Sequence, residues 1–239
     1  MDGSEARDLS LLGIGLYTVS DVARLTGISP GRLRRWLRGY AYRASQGQVT
    51  MAPLWHSQVP EINGTLGFGF RDLMEARFVN AFREAKVSWK VIRLCAEKAR
   101  ELIGRDHPFS TRRFKTDGRT IFAETVDQSG ETQFLDLARS QLAFARVIAP
   151  SLYAGIDFSD RDEPARWWPA GAQHSIVIDP ARSFGQPIVN DAGVPTVVLA
   201  DAVEAEGSVA KVATLFRIAL NQVRAAVQFE RRLAERLAA

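Results

Sequence analysis

The sequence predicts a mainly α-helical fold with small β elements, which places it in the α+β class. Apolar residues recur at helical spacing over residues 19–37, 70–103 and 199–237. Glycine and proline interrupt residues 39–70, and short strand-forming runs separate the two helical parts. With 239 residues, 46% of them hydrophobic and 24% charged, the chain can form one large domain or two small ones and is not a disordered protein.

The composition excludes several classes of protein. Apolar stretches fall well short of the roughly 20 residues that a membrane-spanning helix needs. Residues 1–13 do not resemble a secretory signal peptide, and the single cysteine, Cys95, cannot form an internal disulfide. We therefore expect a cytoplasmic protein with no membrane partner.

Positive charge is concentrated near the N-terminus. The net charge of +4 divides into +5 for residues 1–104, −1 for 105–175 and 0 for 176–239. Within residues 13–50, six arginines face one acid, Asp21. Such a patch suits a phosphate backbone, because each neutralised phosphate releases counterions. The alternative is a solvated helix face, so the motif spacing has to decide between the two.

That spacing predicts two short helices joined by a tight turn. Thr18 is positioned to cap the first helix, with Asp21 three residues later, and Gly27 ends it where a left-handed conformation is required. Ser29 and Pro30 are a cap and a first helical residue, so a second helix begins around Ser29.

The second helix has one apolar face and one basic face. Leu33, Trp36 and Leu37 face the core, and Ala23 allows the close approach of the first helix. This is the geometry of a helix-turn-helix, which places its second helix in the major groove of DNA; the alternative is a generic helical hairpin. The predicted DNA-binding residues are Thr18, Ser29, Arg32, Arg34, Arg35, Arg38, Tyr40 and Arg43.

Residues 39–70 predict a β hairpin beside the second helix, a wing to which Arg43 belongs. Apolar stripes then predict two supporting helices, joined by a short connection that ends at the cap Ser88, with Cys95 in the core. Residues 13–104 are therefore expected to form one winged helix-turn-helix domain. The run LYTVSDVARLTGISPGRLRRWLRGY, the wing and the two further helices resemble the DNA-binding head of MerR regulators. Those proteins usually carry an aromatic residue and an acid where this chain has Arg35 and Leu37, so their base contacts cannot be transferred.

Residues 105–150 predict a small β meander, with strands at 109–115 and 119–125 around an Asp117-Gly118 turn and a third strand at 132–137. Three alternatives are open for the basic residues near the first hairpin. They could contact DNA, contact an acidic partner, or face only solvent. Residues 151–175 are expected to be a linker whose tryptophans, Trp167 and Trp168, dock onto a neighbouring surface.

Residues 176–239 predict a C-terminal helical module. A strand at 176–178 and a compact hairpin precede three helices, at about 199–206, 209–216 and 221–237, with Ser208 and Asn221 as caps. The last two helices have helix-turn-helix spacing but carry Arg217 at the turn and lack an arginine cluster. We therefore expect dimerisation or partner docking here rather than a second DNA-reading helix.

This part of the chain is similar to domains of unknown function found as, or fused to, VapB-type antitoxins. The similarity rests on DPARSFGQPIVNDAGVPTVVLADAVEAEGSVAKVATLF and the Val-Arg-Ala-Ala-Val that follows. It implies an antitoxin that represses its own operon and binds a VapC-type toxin, a PIN-domain ribonuclease. We hypothesise that the toxin contact lies in residues 176–239. An arginine could neutralise the carboxylates that hold Mg²⁺ in such a nuclease. Arg231, Arg232 and Arg236 are the candidates; the alternative is that they only decorate an exposed helix face.

Enzymatic activity has little support. The three histidines, His56, His107 and His174, lie far apart without metal-ligand spacing, and no phosphate-binding glycine loop is present. We expect no catalytic residue, metal or cofactor. The predicted protein is a homodimer on double-stranded operator DNA, because palindromic half-sites match two-fold symmetry. The alternative function is a stand-alone MerR-like transcriptional regulator without a toxin partner.

Overall fold

The computed structural model describes residues 11–44, 47–61, 63–128, 150–171 and 175–238. Helices alternate with small antiparallel sheets, as an α+β chain requires. The N-terminal elements are β1 (Tyr17–Thr18), α1 (Val19–Thr26), α2 (Pro30–Arg38), β2 (Tyr40–Ala44), β3 (Gly47–Met51), β4 (Gly67–Phe68), α3 (Phe70–Glu84) and α4 (Trp89–Ile103).

The N-terminal elements have the predicted order of two helices, a hairpin and two supporting helices. Strands β2 and β3 pair directly with each other, with Tyr40 opposite Met51. Strand β1 pairs with β4, with Thr18 opposite Gly67, which brings the start of α1 close to the start of α3. The predicted cap of α4 is confirmed, because the backbone N–H of Val91 donates to Ser88 Oγ at 3.2 Å.

The predicted hairpin over 109–125 is wrong, because these residues form helix α5 (Arg112–Gln128). Phe114, Ile121 and Phe122 are buried at helical spacing and pack with the neighbouring helices, a gain that outweighs the local turn preference of Asp-Gly. Thr111 Oγ1 accepts from the backbone N–H of Phe114 at 3.1 Å and so starts the helix. The third predicted strand, at 132–137, lies outside the described residues.

The linker expected over 151–175 contains regular structure. Helix α6 (Pro150–Tyr153) is followed by β5 (Ile156–Phe158) and β6 (Pro164–Trp167). These strands join β7 (Ile176–Ile178) and β8 (Pro187–Val189) in an antiparallel sheet of order β5-β6-β7-β8. Trp167 is buried, and it lies in the sheet because its partner in β7 is Ile178.

Three helices close the chain: α7 (Thr196–Glu206), α8 (Val209–Phe216) and α9 (Leu220–Ala238). The cap of α8 is confirmed, since Ser208 Oγ accepts from the N–H of Lys211 at 3.3 Å. Asn221 is not a cap, because α9 already begins at Leu220. Arg217 adopts the left-handed conformation at the turn, with a φ of 55°.

The C-terminal module packs directly on the first N-terminal helix. Leu25 of α1 and Phe229 and Leu233 of α9 are buried in one shared hydrophobic core. Tyr17 Oη donates to the carbonyl of Gly185 at 2.8 Å, and the N–H of Leu16 donates to the carbonyl of Phe184 at 2.9 Å. The two ends of the chain are therefore in contact.

Candidate nucleic-acid interface

The first helix of the pair is held by local hydrogen bonds at both ends. Thr18 Oγ1 accepts from the N–H of Asp21 at 3.1 Å, and Asp21 Oδ2 accepts from the N–H of Thr18 at 2.8 Å. Together they form a capping box. Gly27 ends the helix with a φ of 75°, a conformation that costs glycine little. The predicted roles of these residues in starting and ending α1 are confirmed.

The turn into α2 differs from the prediction in one detail. Ser29 is at the N-cap and Pro30 opens the helix, but the Ser29 side chain makes no capping hydrogen bond. Its hydroxyl is exposed and available to a phosphate. The α2 helix is oriented instead by burial of Leu33, Trp36 and Leu37 against the core.

The four predicted arginines of α2 are all exposed, but they are not equivalent. Arg32 and Arg34 have no ion pair within the described residues. The guanidinium of Arg35 lies 5.8 Å from the ring centroid of Tyr40. Arg38 already has partners within the chain: it pairs with Glu61 at 2.7 Å and donates to the carbonyl of Gly64 at 2.6 Å. Arg32, Arg34 and Arg35 therefore present the freer positive charge.

The hairpin extends this surface. Tyr40 is half-buried and Arg43 is exposed, opposite Gln48. The hairpin is anchored to α2 where the N–H of Leu54 donates to the carbonyl of Trp36 at 2.7 Å. Gly39 permits the tight exit from α2, because a Cβ there would lie 2.2 Å from the Met51 carbonyl oxygen. We use the name head surface for these side chains of α2 and the hairpin: Arg32, Arg34, Arg35, Arg38, Tyr40 and Arg43.

A buried carboxylate stabilises the segment between the hairpin and α3. Asp72 Oδ1 accepts from Trp55 Nε1 at 2.9 Å and lies 2.7 Å from His107 Nε2. Its Oδ2 accepts from Ser57 Oγ and from the backbone N–H groups of Gln58 and Gly69, at 2.7 to 3.0 Å. Asp72 thus ties the segment after the hairpin to the start of α3. Sequence reasoning missed it, although an acid three residues after Gly69 is a capping-box signal.

A second buried acid fixes the loop before α5. Glu75 accepts from the backbone N–H groups of Phe109 and Ser110, both at 3.0 Å. Burial raises the pKa of this carboxyl, and the nearby His107 and the two backbone donors oppose the rise. His107 is therefore structural, His56 is exposed, and His174 lies outside the described residues.

The proposed toxin-binding arginines lie on α9, close to the head. Arg231, Arg232 and Arg236 are exposed. Arg236 Nη1 donates to the carbonyl of Leu25 at 3.3 Å. Nearby, Arg24 of α1 and Glu230 of α9 form an ion pair at 2.7 Å.

The described residues contain no group of three or more His, Cys, Asp or Glu side chains that could hold a metal ion. Nor does this part of the chain contain a helix that is long and apolar enough to cross a membrane.

Comparison with known proteins supports a helix-turn-helix in the N-terminal part of the chain. Residues 15–95 match the family model described as "Putative DNA-binding HTH domain". The N-terminal part of the chain carries a helix-turn-helix DNA-binding domain. The match covers α1, α2, the hairpin and most of the two supporting helices.

Similarity to proteins of Mycobacterium tuberculosis extends over most of the chain. The chain is 24% identical over 224 residues to "Putative antitoxin VapB45" of strain ATCC 25618 / H37Rv, covering 90% of this chain and 93% of that protein. It also resembles the X-ray crystal structure of Rv2018, with a TM-score of 0.70 and 24% identity, covering 90% of this chain and 99% of that one. The second likeness concerns the fold alone.

Proposed function

We propose that this protein is an antitoxin that binds operator DNA through the head surface, represses its own operon and neutralises a VapC-type PIN-domain ribonuclease by direct binding. The observation that carries the DNA-binding half is the exposed row of Arg32, Arg34 and Arg35 on the second helix of a helix-turn-helix. These side chains have the chemistry to contact phosphates or to pair with guanine in the major groove.

The arrangement of the head surface favours a MerR-like mode of binding. Helix α2 enters the major groove, and the β2–β3 hairpin places Arg43 against the flanking backbone. We infer a homodimer on a two-fold symmetric operator, because each chain offers one such head.

Footprinting tests this half of the proposal. The full chain is expected to protect a two-fold symmetric site upstream of its own gene. The variant Arg34→Ala/Arg35→Ala loses that protection. The control Arg161→Ala/Lys211→Ala, which removes the same charge from exposed positions outside the head surface, retains it. Protection that survives the loss of both α2 arginines would contradict a head-surface contact.

The antitoxin half is supported by the named relative and by the surface of the C-terminal module. Phe184 and Leu215 are 66% and 67% exposed, so both apolar side chains are open to a protein partner. Phe184 also has a φ of 55°, a strained conformation for a non-glycine residue. Residues 176–239 are therefore where we place the toxin contact.

A growth assay tests the toxin contact. The PIN-domain ribonuclease that the proposal predicts beside this gene is co-expressed with the full chain, and colony formation is counted. We expect Phe184→Asp/Leu215→Asp to abolish rescue, whereas Leu12→Asp, at an equally exposed apolar position outside residues 176–239 (64%), leaves rescue intact. Point variants are required because deleting the C-terminal module would expose the buried face of α1.

A stand-alone MerR-like regulator is the second candidate. One observation favours it: beside the contact between α1 and α9 lies an arginine-lined cavity in which a small-molecule effector could bind. Absence of a PIN-domain ribonuclease gene from the neighbourhood, with operator binding intact, would decide for this function.

A further inference from the structure

A cavity of about 530 Å³ lies between the head and the C-terminal helix. Its walls come from five elements: α1, α3, α6, β6 and α9. Its volume falls within the range of roughly 300–1,000 Å³ typical of small-molecule sites.

Part of the wall is apolar, although more of the surface that faces the cavity is polar. The apolar part includes the largely buried side chains of Leu25, Trp167, Phe229 and Leu233. Such a mixed lining suits a ligand with a small hydrocarbon body and a charged group.

Three guanidinium groups line the same cavity: those of Arg77, Arg232 and Arg236. None of them takes part in an ion pair within the described residues. Glu84 supplies one carboxylate to the wall, and Asn80 Nδ2 already donates to it at 2.8 Å. The charged side chains of the wall therefore carry a surplus of two positive charges.

Arg77 is the most constrained of the three. Its guanidinium lies 4.0 Å from the ring centroid of Trp167, and Nη1 is 3.6 Å from Met74 Sδ. Burial, together with a smaller effect of the nearby positive charge of Arg236, lowers the pKa of Arg77 to about 9. A partly buried arginine normally has an anionic partner, because its charge is costly to remove from water.

We propose that this cavity binds a small organic anion, with a carboxylate or phosphate at the arginines and an aromatic or aliphatic body against the apolar wall. This goes beyond operator and toxin binding and depends on neither; for the second candidate function it names the class of ligand. The ligand would touch both α1 and α9. Because Arg236 also donates to the carbonyl of Leu25, binding would change how the C-terminal helix holds the first helix of the head. Operator affinity and ligand affinity would then be coupled reciprocally.

Titration calorimetry on the full chain tests the proposal with three probes that share one ring: benzoate, phenyl phosphate and neutral benzamide. At least one of the two anions is expected to saturate a single site, and benzamide to bind at least about tenfold more weakly. The stronger of the two anions identifies the head group as carboxylate or phosphate.

The chain offers a matched pair of variants for this test. Arg232 lines the cavity and the adjacent Arg231 does not, and both are exposed on α9. We expect Arg232→Ala to weaken anion binding by about tenfold and Arg231→Ala to leave it within about twofold. Arg77→Lys, which keeps the charge but removes the planar fork, is expected to weaken binding as well. Thermal melting confirms that each variant is folded.

Three results would overturn the inference. They are failure of both anions to saturate, equal affinity for benzamide, and equal losses in Arg231→Ala and Arg232→Ala. None depends on DNA, so a failure here is distinguishable from a failure of operator binding.

Discussion

Removing Arg34 and Arg35 tests whether the head surface contacts the DNA backbone. Both side chains are exposed on α2. Replacing them with alanine leaves the buried face of Leu33, Trp36 and Leu37 intact, and alanine is a good helix former. The variant should therefore fold normally and lose two positive charges.

The expected magnitude follows from counterion release. Each phosphate contact contributes about 0.9 to the slope of log K against log salt, so a homodimer that loses two contacts in each of its two heads has a slope reduced by about 3.6. Between 50 and 200 mM salt, a fourfold change, the affinity of the wild-type chain should fall about 150-fold further than that of the variant. Arg38→Ala should change the slope less, because Arg38 is already paired with Glu61.

Fluorescence anisotropy with a short duplex of arbitrary sequence measures this term without knowledge of the operator. The slope is taken from titrations across a series of salt concentrations. The control Arg161→Ala/Lys211→Ala should keep the wild-type slope. An Arg34→Ala/Arg35→Ala slope equal to that of the wild type would refute the reasoning, as would an equal reduction in the control.

Three further predictions concern the interior. Asp72→Asn should lower the free energy of unfolding by about 3 kcal/mol, because an amide cannot accept from all the donors that face it. Urea unfolding measures this change, and Asp106→Asn, at an exposed position, is the control. Burial raises the pKa of Cys95 to about 12, so a thiol reagent should modify it only at the rate of unfolding, and rapid labelling of the folded chain would contradict this. Burial raises the pKa of Glu75 above its ordinary 4.5, so the folded chain binds this proton more readily than the unfolded chain. The group therefore adds stability as the pH falls through the raised value, by at most about 1.4 kcal/mol per pH unit, and adds no more below 4.5. Urea unfolding across pH should show that Glu75→Gln lacks this dependence relative to the wild type.

The helix-turn-helix was predictable because its determinants are local. Thr18 and Asp21 form a capping box within three residues, and Gly27 adopts the left-handed conformation that the sequence suggested. Burial of Leu33 and Trp36 follows from helical spacing alone. Cap and turn chemistry of this kind requires no knowledge of what packs on the helix from elsewhere in the chain.

The middle of the chain was misjudged where a local signal and tertiary burial disagree. Asp117-Gly118 is a strong hairpin signal, yet both residues lie within α5. The helical spacing of Phe114, Ile121 and Phe122 is present in the sequence, but it competes there with the hairpin signal of the turn. Strands β5 and β6 have only three and four residues, and they depend on pairing with each other and with β7 rather than on their own pattern.

The contact between the two ends of the chain could not be predicted, because its partners are distant in sequence. Arg24 and Glu230 are 206 residues apart, and Arg236 and Leu25 are 211 apart. The distribution of charge along the sequence predicts DNA binding by residues 13–104 and partner docking by residues 176–239, as separate modules. The structure brings that end onto α1 instead, and sequence spacing carries no information about such packing.

This packing separates the three arginines proposed for toxin binding. For an acidic nuclease site to capture Arg236, the side chain would have to leave the carbonyl of Leu25 and vacate the cavity that it lines with Arg232. Arg231 lies outside that cavity and is exposed, so a toxin could reach it without disturbing the contact between α9 and α1. If an arginine neutralises the toxin, Arg231→Ala should therefore reduce rescue from the toxin more than Arg236→Ala does. Arg231→Ala should also leave anion binding unchanged. A larger loss of rescue from Arg236→Ala, with α9 still packed on α1, would mean that the toxin approaches through the cavity.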